Sequence, residues 1–261
     1  IVVSPNDPTA IAPTLKKAQD AGIKVVSFDA DAQEDARDLF INQITADAAG
    51  KGLLDAAAQD LKAKGYGPDK KANIALVSGS GTDANQTAWE NAIYDLLETD
   101  DYNFMVIKNK DTDVYYPGTD ETKVNSEVAT LMGRVGEGED QIQGVIALSS
   151  MTTPALGAQY QQAASKPDAS KVTLTGLATP NALKTYIKDE SNPLNTGVLW
   201  NCADLGYLAI QGAYQLVTGD ITSDSTSINA GRLGEKVIED KQCVLGDALV
   251  FDATNVDEFN Y

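Results

Sequence analysis

Carboxylates and amides recur where apolar runs end. Asp29 follows the run 23–28 and opens Asp29-Ala30-Asp31; Asp83 and Asn85 lie beyond the run 73–77, where a helix should begin; Asn201 follows Trp200 at the end of 197–200. An ionised carboxylate accepts two adjacent hydroxyls, each charge-assisted bond contributing about 1.5–3 kcal/mol net. An amide both donates and accepts, and the rings of Phe28 and Trp200 can stack on the C–H face of a sugar. This set suits a neutral polyhydroxy ligand better than bond-breaking. Each residue also has a plain structural use. Asp29 can cap a local turn, at least one of Asp83 and Asn85 is expected to cap a helix, and Trp89, one turn further on, belongs to a core.

Several chemistries are excluded. The 261 residues contain no histidine, which removes Ser-His-Asp and Cys-His machinery and histidine-based zinc sites. Gly79-Ser80-Gly81 lacks the spacing of a nucleophile elbow, Ala84 stands where a GxGxxG loop needs its third glycine, and there is no GxxxxGK phosphate loop. Asp111-Thr112-Asp113 and the acidic stretch 252–257 lack the glycine and final glutamate of a calcium loop and are expected to be solvated turns and caps. No metal or cofactor is expected. A hydrolase built on Asp29, Asp31 and Asp83 stays open as an alternative. The formal charge of −18, from 38 acidic against 20 basic residues, argues against nucleic acid and otherwise serves solubility. Cys202 and Cys243 are too few for a disulfide scaffold; they either pair in an oxidising compartment or remain as free buried thiols.

The elements that must hold these side chains show a regular rhythm. Apolar runs at 23–28, 73–77, 103–107, 144–148, 172–177 and 197–200 are mostly separated by amphipathic stretches of roughly 12–18 residues, the spacing of βαβ units on a parallel sheet. Ligands in such folds sit beyond the carboxyl ends of the strands. Helices are predicted over 8–22, 47–64, 85–97, 121–134, after a loop at 149–154 to about 164, from 180, and from 202 to 216, with 39–43 as a connection. Beyond Gly219 the alternation stops, and short strand-like segments near 227–231, 236–239 and 248–251 suggest a return to decorate an earlier lobe. A chain of this length holds two modest lobes or one large α/β domain. No apolar run approaches 18 residues. The opening Ile1-Val2-Val3 reads as a strand without a polar lead-in, so an upstream segment is expected.

Six stretches carry a resemblance in their order: Ser27-Phe28-Asp29-Ala30-Asp31 with Phe40-Ile41-Asn42-Gln43; Gly81-Thr82-Asp83-Ala84-Asn85-Gln86; Thr179-Pro180-Asn181; Leu199-Trp200-Asn201; Gly231-Arg232-Leu233-Gly234; and Val250-Phe251-Asp252 with Asn255-Val256-Asp257. Together they span nearly the whole chain. They resemble the type I periplasmic sugar-binding proteins, solute receptors of ABC importers, and most of all the rhamnose receptors and the related autoinducer-2 receptors.

The resemblance implies an α/β fold of two lobes of parallel sheet flanked by helices, closing on a ligand. Three crossovers fall near 43–45, 201–203 and 246–250. The first lobe takes 1–44 and 202–247 and lacks its N-terminal strand-helix-strand-helix portion; the second takes 45–201 and 248–261. Carried over by position, Asp29 binds hydroxyls from the first lobe and Asp83 from the second. Ser150 and Met151 lie on a ligand-contacting loop, and Asn201 takes the polar hinge position. The autoinducer-2 receptors carry glutamine where this chain has Ala84, and proline and alanine where it has Leu148 and Ser150, which points toward a rhamnose-like sugar. The implied partners are that sugar and a membrane permease, with no nucleic acid and no catalysis. The protein would act as a monomer in the periplasm or outside the cell, a lipid anchor on the absent N-terminus being one form. The alternatives are an autoinducer-2 receptor, a sugar-responsive transcription regulator core on the same fold, and a carboxylate-driven glycosidase.

Overall fold

A computed structural model describes residues 1–261. Strand β1 (Val2–Val3) leads to α1 (Pro8–Asp20), where Asp7 accepts from the N–H groups of Thr9 and Ala10 and Pro8 occupies the first turn. Gly22, at φ +79°, ends that helix. Then come β2 (Val26–Phe28) and β3 (Leu39–Asn42). Next follow α2 (Ala46–Ala63), β4 (Ala72–Val77), α3 (Ala84–Leu97), β5 (Met105–Val106), α4 (Lys110–Asp113), β6 (Val114–Tyr115) and α5 (Glu121–Met132). The alternation continues through β7 (Gly144–Ala147), α6 (Thr152–Gln162), β8 (Thr173–Leu177), α7 (Pro180–Ile187) and β9 (Leu194–Leu199). The last elements are α8 (Cys202–Thr218), β10 (Ser227–Asn229), β11 (Glu235–Val237), β12 (Gln242–Val244) and β13 (Leu249–Asp252).

The chain divides into two compact units: unit 1 is Ile1–Thr45 with Trp200–Asp247, and unit 2 is Ala46–Leu199 with Ala248–Tyr261. Unit 1 holds a parallel sheet in the order β1-β2-β3-β12, with β10 and β11 as a separate antiparallel pair. Val26, Leu39, Ile41, Leu205, Leu208, Leu216 and Cys243 are buried in its core, where α8 supplies one apolar stripe. Unit 2 is a larger sheet in the order β13-β9-β8-β7-β4-β5, parallel except for β13, with β6 also on the edge of β4. Its central strands are buried throughout, as expected where helices cover both faces. No helix is long and apolar enough to cross a membrane.

Five sequence expectations need correction. The residues 39–43 form β3, a buried inner strand rather than a connection, and only a 3₁₀ turn at Glu34–Ala36 separates it from β2. Thus not every crossover is an α-helix. The first run starts at Val26 rather than residue 23, because the Val25 N–H is taken by Asp38 Oδ2 at 2.8 Å. The run 103–107 shrinks to β5, and the chain turns through α4 into β6, so both short strands share one edge of β4. Asp113 drives that turn. It is buried, accepts from the Asn109 N–H at 3.0 Å and pairs with Arg134 at 2.6 Å, so it is not the solvated residue its acidic surroundings suggest. Finally, β12 was unforeseen, and the segment at 248–251 pairs with β9 in unit 2, the lobe that the resemblance gave it, and does not decorate unit 1 as the loss of alternation suggested.

Candidate functional site

In unit 1 the carboxyl ends of β2 and β3 present Phe28 and Asp29. Asp29 has φ +62°, a left-handed conformation that a residue with a Cβ adopts at a cost of about 1 kcal/mol. Its N–H donates to the Ile41 carbonyl at 3.2 Å, and its Oδ2 accepts from the Ser4 hydroxyl at 3.2 Å. Phe28 and Trp200 pack half-buried against the same core cluster. Asn201 caps α8, its Oδ1 accepting from the Asp204 N–H at 3.0 Å, which leaves the Nδ2 donor. Cys202 follows, and its thiol is held above the ordinary range, first by burial of the sulfur and then by the negative charge of Asp29. Strand β2, which ends next to Asp29, packs against α8. Unit 1 therefore gathers Phe28, Asp29 and Asn201 at one edge.

Asp31 is not available to a ligand. Its two oxygens engage the buried Arg37, at 2.7 Å from Nε and 2.8 Å from Nη2, and the Ser27 hydroxyl also donates to it. This spends one of the three carboxylates on which the hydrolase alternative depends. Both cysteines are free; Cys243 is buried, but Cys202 is exposed as a residue, with only its sulfur partly covered beside the Trp200 carbonyl at 3.8 Å, contrary to the expectation for unpaired thiols.

In unit 2 the in-register pairs Val77↔Ala147 and Ala147↔Gly176 bring the loops after β4, β7 and β8 out side by side. Gln86 braces the first loop: its Oε1 accepts from the Ser78 hydroxyl at 2.8 Å and from the Gly79 N–H. Asp83 caps α3, Oδ1 accepting from the Gln86 N–H at 2.8 Å, while Asp83 as a whole is exposed. Asn85 is half-buried in the first turn, and Trp89, 7 % exposed, belongs to the core. In the second loop Ser149, not Ser150, makes the helix-start bonds, accepting from the Thr152 N–H at 3.2 Å. Thr152 and Thr153 then donate to the carbonyls of Val77 and Leu177 and lock α6 onto two strand ends. Ser150 and Met151 are left exposed beside the Asp83 loop.

Two residues of this edge escaped the sequence reading. Tyr116 and Glu90 are joined by a hydrogen bond, the Tyr116 hydroxyl donating to Glu90 Oε2 at 2.8 Å. Burial, followed by that bond, pushes the Tyr116 phenol well above its ordinary range. No group of His, Cys, Asp or Glu side chains is placed to hold a metal ion. The arrangement in each unit offers hydrogen bonds and aromatic surface rather than a nucleophile with a base.

A model of the periplasmic binding protein domain matches residues 1–221. The chain belongs to the periplasmic binding protein family. Solved structures agree in fold. This periplasmic binding protein is 30 % identical to a sugar ABC transporter protein from Actinomyces odontolyticus, with 100 % of this chain and 78 % of that one covered and a TM-score of 0.81. It is 25 % identical to an ABC transporter solute-binding protein from Clostridium phytofermentas with bound L-rhamnose, covering 99 % and 79 % at a TM-score of 0.79. At 23 % identity, LsrB from Clostridium saccharobutylicum in complex with AI-2 shares the fold, with a TM-score of 0.84 and coverage of 100 % and 82 %. The family and the α/β architecture expected from the sequence are borne out.

Proposed function

We propose that this periplasmic binding protein captures a monosaccharide, most simply a rhamnose-like one, by closing its two units on it, and delivers it to the permease of an ABC importer. The observation that carries the reading is Asp29: a carboxylate held in a left-handed backbone at the end of β2, with Phe28 and Asn201 at the same edge. Strained residues of this kind cluster at ligand sites. Asp83, Asn85, Ser150 and Met151 would contribute from unit 2, with Asp83 Oδ2 left to accept a hydroxyl. Support for the sugar and the importer comes from the similar proteins, one a sugar ABC transporter protein and one holding L-rhamnose. Ala84 and the exposed Met151 add apolar surface suited to the methyl group of a deoxy sugar.

No chemistry follows capture, so preorganised hydrogen bonds do all the work. The protein would act as a monomer, in the periplasm or outside the cell. The test is a thermal-shift panel of L-rhamnose, ribose, other pentoses and hexoses, and autoinducer-2. A sugar at a hundred times its Kd stabilises by about 2.7 kcal/mol. L-rhamnose should give the largest shift, an autoinducer-2 preference would replace it with the sister function, and a panel without any shift would refute sugar capture.

A further inference from the structure

Tyr116 stands one residue past β6, whose pairing of Leu76↔Val114 and Val77↔Tyr115 brings it to the edge where the strands of unit 2 end. Alternation along the strand sends neighbouring side chains to opposite faces. The Tyr115 hydroxyl accepts from Arg134 Nη1. Tyr116 turns the other way, and its ring lies over the backbone of Gly81 so closely that a Cβ there would sit 3.3 Å from it. A side chain at that position would push the ring aside by a few tenths of an ångström. Asp83 is two residues further on.

The anchor of that ring is unusual. Glu90 is 5 % exposed, one oxygen accepts from the Tyr116 hydroxyl, and Oε1 is buried without a hydrogen bond inside the protein. Burying a half-satisfied carboxyl opposes folding, and an aliphatic side chain would fill the same interior without that cost. What the carboxyl achieves is to fix the orientation of a tyrosine that is itself 42 % exposed. The hydroxyl is tied inward and much of the ring is left open.

We propose that Tyr116 is an aromatic platform on which the C–H face of the captured sugar stacks beside Asp83, and that Glu90 is the positioning residue that holds the platform. This rests on the sugar-capture reading and adds a ligand-contacting residue to it. The negative face of the ring quadrupole attracts the polarised C–H bonds of a pyranose, and because Glu90 occupies the hydroxyl, the ring enters as a surface rather than as a hydrogen-bonding group.

The experiment is calorimetric titration with L-rhamnose of the wild type, Tyr116→Ala, Tyr116→Phe, Glu90→Gln, Glu90→Ala and the double Glu90→Ala/Tyr116→Ala variant. Each unliganded melting temperature is recorded as well. Loss of the ring in Tyr116→Ala should weaken binding about three- to tenfold. Tyr116→Phe keeps the ring and should lose less. Glu90→Gln keeps an acceptor oxygen and should stay within about twofold. Glu90→Ala should weaken binding severalfold, yet add nothing once Tyr116 is alanine, a non-additivity that a purely stabilising Glu90 would not produce. Wild-type affinity in Tyr116→Ala, or full additivity in the double variant, would overturn the platform while leaving sugar capture standing. Failure of the wild type to bind any sugar of the panel would overturn both.

Discussion

Replacing Asp29 by glycine separates what the residue does for the fold from what it does for the ligand. At φ +62° its Cβ costs about 1 kcal/mol, and glycine relieves that. Against the gain stand glycine's greater freedom in the unfolded chain, about 0.5–1 kcal/mol, and the surface bond from Ser4, worth about 0.5–1 kcal/mol. The sum lies between zero and about 1 kcal/mol of destabilisation, a fall in Tm of no more than about 4 °C. The loss of affinity is larger. One charge-assisted bond to a sugar hydroxyl is worth about 1.5–3 kcal/mol, so L-rhamnose should bind about 10- to 150-fold more weakly. Asp29→Ala should lose as much affinity and melt no higher than the glycine variant, since it keeps a Cβ in the left-handed region. Scanning calorimetry of the unliganded proteins and isothermal titration with L-rhamnose give the two numbers. Wild-type affinity in Asp29→Gly would remove Asp29 from the site. A fall in Tm beyond about 8 °C would mean that the residue serves the fold.

Other outcomes follow from the same structure. Asp83→Asn keeps a good helix cap and Asp83→Ala loses about 1 kcal/mol with it, yet both should weaken sugar binding at least about tenfold; unchanged binding in the asparagine variant would acquit the carboxylate. Gly176→Ala would push a Cβ to 2.4 Å from the Ala147 carbonyl oxygen, which has no room to yield, and should cost about 1–3 kcal/mol or more; a wild-type melting curve would contradict the packing. Burial pushes the Cys243 thiol up to about 11 from an ordinary value of 9.0. Between those values the unfolded chain has released the proton and the folded one has kept it, so stability should decline as pH rises from about 9 to 11. A Cys243→Ala protein with the same alkaline decline would exclude this thiol as the cause. A thiol reagent at pH 8 should modify the exposed Cys202 alone until the protein is unfolded.

The legible parts of the fold were those where local pattern and tertiary role coincide. Strands β4, β7 and β8 are buried on both faces, so their apolar runs are continuous and their helices follow at crossover spacing. Strand β3 went unread because it lies ten residues after β2 across a charged turn, too near for a helical crossover. Strand β12 is three residues, Gln242-Cys243-Val244, made a strand only by pairing with β3 some two hundred positions earlier. Asp29, Asp83 and Asn201 could be singled out because strand ends and helix starts are visible in a sequence. Their capping duties were foreseen in kind for Asp83 and not for Asn201. The Tyr116–Glu90 pair was invisible. A glutamate within a helix reads as solvent-facing, and its partner stands 26 residues away, just past a two-residue strand.

Because unit 1 is assembled from Ile1–Thr45 and Trp200–Asp247, its sheet lacks β12 and its core lacks α8 while the ribosome makes everything between. At ordinary elongation rates the intervening residues take about 8–30 s, ample time for them to condense into all of unit 2 except β13, which is made last. A folded insert also turns a very long closure into a short one and lowers its entropic cost. The N-terminal segment is then a waiting half-core, with Val26, Leu39 and Ile41 uncovered until α8 emerges. During synthesis this is where a chaperone would be needed most.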